Sequence, residues 1–297
     1  MMAQPTKEER ANLRRLLEQA RREDLGRGDL TSQLLPAAMP ATGEFVAREA
    51  LVFAGGVFLG EIAAAYDRRI RTKVLAAEGQ RVAAGAVLAR WTGPARAVLS
   101  AERVALNFLQ ALSGIATATR RYVDAVAGTG AGVYDTRKTL PGWRALAKYA
   151  VRCGGGRNHR RGLFDAVLVK DNHLAALAAA GEADPLAAVG ERLAKIRRRY
   201  RPAFVMVEVD SLAQLKTALA LPVESILLDN MPPRTLAKAV AMRDQAGRRP
   251  KVTLEASGGI TIRNVAKVAA TGVERISVGA ITHSARAVDV ALDVKVG

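Results

Sequence analysis

Phe204-Val205-Met206-Val207-Glu208-Val209-Asp210, a helical stretch over 212–219, and then Ser225-Ile226-Leu227-Leu228-Asp229-Asn230 carry the rhythm that decides the fold. A short apolar run ends in carboxylates, a helix follows, and the next run again ends in a carboxylate. The same unit recurs outward in both directions. Toward the N-terminus the runs are 132–134 and 166–169; toward the C-terminus they are 252–254 and 275–278, with helices expected over 233–245 and 261–270. Strand alternating with helix predicts a parallel sheet with right-handed crossovers.

The residues that close each run matter more. The ends are Asp135-Thr136-Arg137-Lys138, Lys170-Asp171, Glu208-Val209-Asp210, Asp229-Asn230, Glu255-Ala256-Ser257-Gly258-Gly259 and Gly279-Ala280. In an α/β barrel such ends converge on one face, where the active site sits; an open doubly wound sheet also binds ligands there. The barrel is the preferred reading. The visible runs are too few for eight full strand–helix units, so the barrel is expected to be incomplete.

Before residue 130 the chain is mixed. An amphipathic helix is expected over 8–22, short strands with glycine turns within 44–52 and 71–91, and a long helix over 100–127. Ser100 is read as its N-cap and Glu102 as a first-turn carboxylate, with Gly114 weakening the helix midway. No low-complexity linker and no close repeat divides the chain.

Composition sets the bounds. The chain has 297 residues, 49% of them apolar and 4% aromatic, so the core relies on aliphatic side chains. Cys153 is the single cysteine, which excludes an intrachain disulfide and metal sites built on several cysteines. It fits a reducing, cytoplasmic compartment. The N-terminus lacks a signal-peptide pattern, and the apolar run 51–60 is too short to span a bilayer, so no membrane association is expected. The net charge of +17 suits polyanions, or merely solvated basic faces. No nucleic-acid motif accompanies it, and nucleic acid is not an expected partner.

The chemistry gathers in 135–173. Arg137 and Lys138 directly follow a strand, and an arginine can hold a carboxylate or phosphate bidentately. A helix is expected over 141–152, with Pro141 near its start. On it Arg144, Lys148 and Arg152 share a face, a repulsion that a bound anion, a facing acidic surface or solvent could relieve. Gly154-Gly155-Gly156 permits unusual dihedrals and close approach to a ligand, or simply ends that helix. His159 and Arg160 follow, then Lys170 and His173. His159, His173 and His283 are the three histidines, each beside a polar strand end or the glycine loop, and none makes a zinc spacing. Glu208 and Asp229 end consecutive strands and suit Mg²⁺ completed by substrate phosphate; the alternative is ion pairing or helix capping. Asp210 is read as a helix cap. Ser257-Gly258-Gly259 before a helix, with Gly279-Ala280 after the last strand, suits a phosphate cradle.

Together these elements resemble the quinolinate phosphoribosyltransferases. The resemblance rests on Glu23-Asp24, Gly28-Asp29-Leu30-Thr31-Ser32, Glu102-Arg103, Leu106-Asn107 and Ser113-Gly114-Ile115-Ala116-Thr117. It continues through Asp135-Thr136-Arg137-Lys138-Thr139-Leu140-Pro141-Gly142, Gly154-Gly155-Gly156, Asn158-His159-Arg160, Lys170-Asp171-Asn172-His173 and Glu255-Ala256-Ser257-Gly258-Gly259-Ile260. It implies an α/β fold: an N-terminal α/β sandwich-like domain over 1–113 and an open α/β barrel over 114–284, with the tail 285–297 packing back on the first domain. It implies a homodimer with shared sites, Arg103 reaching the partner's. The implied reaction joins quinolinate to phosphoribosyl pyrophosphate and releases pyrophosphate and carbon dioxide, giving nicotinate mononucleotide for NAD biosynthesis.

By the same resemblance Arg103, Thr136, Arg137, Lys138, His159, Arg160 and Lys170 surround the acid. Glu208 and Asp229 hold Mg²⁺ and the ribose side. Ser257, Gly258, Gly259, Gly279 and Ala280 cradle phosphate, with His283 close by. Lys138, Lys170, Glu208 and Asp229 are the implied catalytic residues. Trp143 departs from the smaller residue expected in the family. The rival readings are a same-scaffold paralogue with another acidic acceptor, and a non-catalytic binder of phosphosugars or nucleic acid.

Overall fold

The computed structural model describes residues 4–296. Met1, Met2, Ala3 and Gly297, which the expected first domain, the N-terminal signal reading and the expected tail include, lie outside the described residues. The strands are β1 (Pro40–Ala47), β2 (Leu51–Val52), β3 (Arg71–Val74), β4 (Arg81–Val82), β5 (Val87–Pro94), β6 (Gly132–Tyr134), β7 (Val167–Val169), β8 (Val205–Val209), β9 (Ser225–Asp229), β10 (Thr253–Ser257), β11 (Arg275–Ser277) and β12 (Val290–Val296). The chain forms two compact units. One takes the residues up to Arg120, then Lys138–Gly156 and the residues from Ile281 onward; the other takes Arg121–Arg137 and Arg157–Ala280.

The first unit carries an antiparallel sheet in the order β12-β1-β5-β3 and the small pair β2-β4. Trp91 and Phe45, both fully buried, meet edge to face at 4.9 Å in its core. Its helix Lys7–Leu25 opens with a complete capping box between Thr6 and Glu9. The expected long helix begins earlier than predicted, at Ala95 directly after β5, and runs to Ala125. Ser100 is therefore inside the helix and does not cap it; its hydroxyl donates to Asp29 at 2.8 Å. Asp29 also accepts from the Ser32 amide and hydroxyl at the start of the turn Thr31–Leu34, which gives the Asp29-to-Ser32 motif a structural task.

The helix expected from Pro141 starts instead at Arg144 and ends at Cys153. Gly142 has φ +82°, outside the right-handed helical region, so the turn before Arg144 cannot join it. Of the three options for its basic face, the acidic surface holds for Arg152, which pairs with the buried Glu9 at 2.6 Å. Lys148 is itself buried. Trp143 stacks on Phe108 with centroids 5.2 Å apart, so the departure from a smaller residue repacks the start of this helix.

The second unit is a parallel sheet in the order β6-β11-β10-β9-β8-β7. From β7 to β11 each strand lies beside the next in the chain, and β11 then pairs with β6, the first. That is the circular order of a barrel opened between β6 and β7; a doubly wound sheet would reverse about its middle. The segment after the triple glycine runs along the open side of β6, with a parallel bridge from Arg157 to Tyr134.

Register then fixes the two faces, because residues in register share a face and neighbours along a strand alternate. Val205, Val207, Val209, Ile226, Leu228, Leu254, Ala256 and Ile276 form a buried apolar face. Helices Leu212–Ala218 and Val265–Ala269 pack against β8 and β11. The opposite face places Glu208, Leu227, Glu255, Arg275 and Gly132 in one row, and Asp229, Ser257, Ser277 and Tyr134 in the next.

Helices Asp171–Ala179 and Pro185–Tyr200 fill the β7–β8 connection. Asp184 caps the second of these from the residue before Pro185. Ser211, not Asp210, caps the helix after β8, accepting from the Gln214 amide. The helix expected from Thr261 starts only at Val265, because Asn264 spends its side chain on the Thr261 amide and the Gly259 carbonyl.

Gly114 marks a close approach, not a weak point. A Cβ there would lie 2.2 Å from the Arg286 carbonyl oxygen. Gly114→Ala should therefore destabilise the protein by about 1–3 kcal/mol through overpacking, even though alanine favours helix by about 1 kcal/mol. Urea denaturation midpoints check it; a gain in stability would refute the close-packing account.

Candidate active site

Two wholly buried carboxylates organise the second unit, Asp135 just after β6 and Glu255 within β10. Asp135 accepts from the His159 amide and from the Asn158 side chain, both at 2.8 Å. Arg157 donates its amide to Val133, and Asp135 donates its own to Arg157. The stretch Arg157-Asn158-His159-Arg160 is thus pinned beside β6, at the sheet's open side.

Glu255 meets three groups. His159 Nε2 is 3.4 Å from it, Arg275 Nε donates at 2.6 Å, and the Ser277 hydroxyl donates to the same oxygen that faces His159. Burial pushes this carboxyl up, but the hydrogen bond from His159 and its charge when protonated, the charge of Arg275 and the Ser277 hydroxyl outweigh it and hold the group below its ordinary range. The Arg275 guanidinium lies 3.8 Å from the Tyr134 ring centroid, and the His159 ring stands edge-on to Phe204.

Arg160 is buried, and its guanidinium donates to the Ala166 carbonyl at 3.3 Å. Burial lowers its pKa, and repulsion from Arg137 lowers it further; Asp165 and Glu208 act in the opposite direction. Two guanidiniums close enough to repel in a desolvated setting are a receptive place for an anion. Lys170 sits just before helix Asp171–Ala179 and pairs with Glu208 at 3.1 Å. His173, on the first turn of that helix, accepts the Lys170 amide at Nδ1, so its ring is spent on the helix start.

Glu208 and Asp229 close adjacent strands on the same face. Asp229 accepts from the Asn230 side chain at 2.9 Å. No group of three or more His, Cys, Asp or Glu among the described residues could hold a metal by itself. Two hard carboxylates on one face suit Mg²⁺ when substrate oxygens complete the shell.

The glycine turns divide in their tasks. Gly258 has φ +88°, and a Cβ there would meet Asn230 Oδ1 at 2.1 Å. Gly259 also has positive φ but faces open space. Asn230 donates its amide to the Ser257 carbonyl, so the β9 and β10 ends are knitted together. Gly279 leads into the short helix Ala280–His283. In the triple glycine, Cβ atoms on Gly154 and Gly156 would collide with Thr119. Those two glycines serve close packing against a helix.

Thr136, Arg137, His159, Arg160, Lys170, Glu208, Asp229, Ser257, Gly258, Gly259, Gly279 and Ala280 all belong to the second unit. Arg103, Lys138 and His283 belong to the first. There Arg103 lies on helix Ala95–Ala125, the Lys138 carbonyl accepts from Thr282 at 2.7 Å, and His283 Nδ1 contacts Ser284. Cys153 is no candidate nucleophile, since burial pushes its thiol up. The role-based sequence reading missed Asp135, Glu255, Arg275 and Ser277. Their signal was the period-two spacing that puts Glu255 and Ser257, or Arg275 and Ser277, on the face shared by Glu208.

A circular strand order with guanidiniums, a lysine–glutamate pair and carboxylates at strand ends defines an α/β-barrel enzyme for carboxylated or phosphorylated metabolites. The family models for the quinolinate phosphoribosyl transferase C-terminal and N-terminal domains match residues 115–293 and 29–113. The chain belongs to the quinolinate phosphoribosyl transferase family. The nicotinate-nucleotide pyrophosphorylase (carboxylating) of Mycobacterium leprae is 45% identical over 94% of this chain and 95% of its own length. The probable nicotinate-nucleotide pyrophosphorylase (carboxylating) of Bacillus subtilis is 39% identical over 95% of this chain and 93% of its own. The structure of the nicotinate-nucleotide pyrophosphorylase from Francisella tularensis superposes with a TM-score of 0.86 at 36% identity, covering 96% of each chain.

The depressed Glu255 carboxyl sets an acid limit. A carboxyl whose folded pKa lies below its unfolded value stabilises fully above that value, about 4.5, and loses the contribution as pH falls through the folded value. Urea midpoints of the wild type should fall as pH drops below about 4.5. Those of Glu255→Gln, lower to begin with, should fall less steeply there; parallel curves would refute the linkage.

Proposed function

We propose that the chain transfers phosphoribosyl from phosphoribosyl pyrophosphate to quinolinate with loss of carbon dioxide, giving nicotinate mononucleotide and pyrophosphate in NAD biosynthesis. The observation that carries this reading within the molecule is the buried Arg160 beside Arg137, a cation pair whose repulsion a dicarboxylate relieves.

The chemistry asks little covalent work of the protein. The quinolinate nitrogen attacks C1 of the ribose, the bond to pyrophosphate breaks, and pyrophosphate leaves with its electron pair. The pyridinium formed draws electrons from the adjacent carboxylate bond; carbon dioxide departs, and the ring carbon takes a proton. Arg137, Arg160 and Lys170 hold the two carboxylates, with Thr136, Lys138 and the Arg103 of a second subunit in the same task. His159 belongs to the proposed pocket wall. Glu208 and Asp229 hold the ribose side and would hold Mg²⁺, which when bound neutralises charge on the departing pyrophosphate. Ser257, Gly258, Gly259, Gly279 and Ala280 receive phosphate, with His283 in the same task. Lys138, Lys170, Glu208 and Asp229 act on the reacting groups.

A homodimer is part of the proposal. Each unit exposes large apolar side chains, Leu30 and Leu34 in one, Leu163 and Phe164 in the other, as a surface covered by a second copy would. No helix among the described residues is long and apolar enough to cross a membrane, and a cytoplasmic location is proposed with the function.

Purified protein with Mg²⁺, quinolinate and phosphoribosyl pyrophosphate should release nicotinate mononucleotide, carbon dioxide and pyrophosphate. A chelator should abolish turnover and Mg²⁺ restore it. Turnover of a different acid, with quinolinate inert, would overturn the substrate assignment. Arg103→Ala and Lys138→Ala proteins, each nearly inactive, should recover activity when refolded together; no recovery would refute the shared site.

A further inference from the structure

The resemblance sets His159 among the residues around the acid, and both of its ring nitrogens meet protein groups. The Arg160 amide donates to Nδ1 at 2.7 Å, which requires a lone pair there and no proton. Nε2 faces the Glu255 carboxylate at 3.4 Å, which requires the proton on Nε2. The two contacts select one species, the neutral Nε2–H tautomer. An imidazolium would place an Nδ1–H against the Arg160 N–H. It would also add a positive charge beside the buried Arg160, which Arg137 already disfavours.

We infer that Glu255 and His159 are positioning residues: Glu255, anchored by Arg275 and Ser277, fixes His159 as the neutral Nε2–H tautomer, and His159 Nδ1 in turn holds the Arg160 backbone. Its target is the guanidinium that receives the substrate carboxylate. The chain of contacts is continuous. Arg275 stacks on Tyr134 and donates to Glu255 Oε2; Ser277 donates to Oε1. Glu255 then meets His159, whose own amide is held by Asp135. Every member lies in the second unit. The His159 ring is thereby a spacer of fixed length between a strand of the sheet and the loop that carries Arg160. The reading deepens the proposed quinolinate site and rests on it for its kinetic arm alone.

Nitrogen-15 spectra of protein labelled at its three histidines, with His159→Asn to assign the signals, test the tautomer in the free protein. The His159 ring should be neutral with its proton on Nε2, and should stay so when quinolinate is added. An imidazolium, an Nδ1–H tautomer, or protonation on adding quinolinate overturns the inference. In steady-state assays His159→Leu, which cannot accept the Arg160 amide, should raise the quinolinate KM about tenfold or more, and His159→Asn, which keeps an accepting oxygen, should raise it clearly less. The KM for phosphoribosyl pyrophosphate should not change in either. Equal losses in both variants would mean that the ring itself grips the substrate. If the assigned reaction were wrong, the wild type would not turn over at all, while the spectra would still decide the tautomer.

Discussion

A carboxylate with no solvent exposure must find positive or donating partners, and Glu255 sits at the centre of the second unit under that constraint. Its position on β10 places it in the row of Glu208 and Arg275, on the face away from the apolar packing. Branched aliphatic side chains fill the interior of an ordinary α/β barrel. Here one row instead carries a paired carboxylate and guanidinium, with Leu227 between Glu208 and Glu255. The sheet can be chemically active because its polar row is satisfied from within: Arg275 and Ser277 come from the neighbouring strand, His159 from the loop beside β6.

The opening between β6 and β7 makes that loop necessary. A closed barrel pairs every strand; this sheet leaves the open side of β6 to the stretch beginning at Arg157, which bridges to Tyr134 and exchanges amide hydrogen bonds with Val133 and Asp135. A short piece of chain thus occupies a strand position without continuing as a strand. It is held by Asp135 at one edge and Glu255 at the other. Arg160, at its end, is buried by this arrangement and has no route to escape Arg137. Both buried carboxylates are spent on holding this loop and its neighbours, while Arg160 and Arg137 stay close enough to repel, an arrangement that an added anion stabilises.

Much of this was legible because strand runs and their polar ends follow a local rule. The runs at 132–134, 225–228 and 275–278 lie within one residue of β6, β9 and β11, and Pro233–Gln245 is the helix expected. The errors have equally local causes. Ser100 has the right chemistry for a cap, but β5 delivers the chain into the helix at Ala95, and the hydroxyl is needed by Asp29. Asp210 and Ser211 are both good caps; only the backbone turn selects Ser211. Helix Asp171–Ala179 went unmarked because no buried stripe runs along it: none of its residues is buried. For the site, residue types could nominate Arg137, Arg160, Lys170, Glu208 and Asp229, since each stands at a strand or loop end. Glu255 and Arg275 were given no role because period-two spacing marks only their face, whereas their pairing depends on register between strands distant in sequence.

The same distinction bears on the glycines and histidines. Three consecutive glycines invite a ligand-binding interpretation, yet Gly154 and Gly156 are small because Thr119 stands where a Cβ would go. Three histidines near polar ends invite a catalytic one, yet His173 completes a helix start and His159 has both ring nitrogens engaged by protein groups. A buried imidazole with one accepting and one donating contact has no proton to exchange without breaking one of them. Chemistry at this site must then rest on groups whose charge does not change during the reaction: guanidiniums, an ammonium paired with Glu208, and carboxylates. That suits a reaction in which the nucleophile is a ring nitrogen already bearing its lone pair and the leaving group departs as an anion, because stabilising separated charge, not moving protons, is the main demand on the protein.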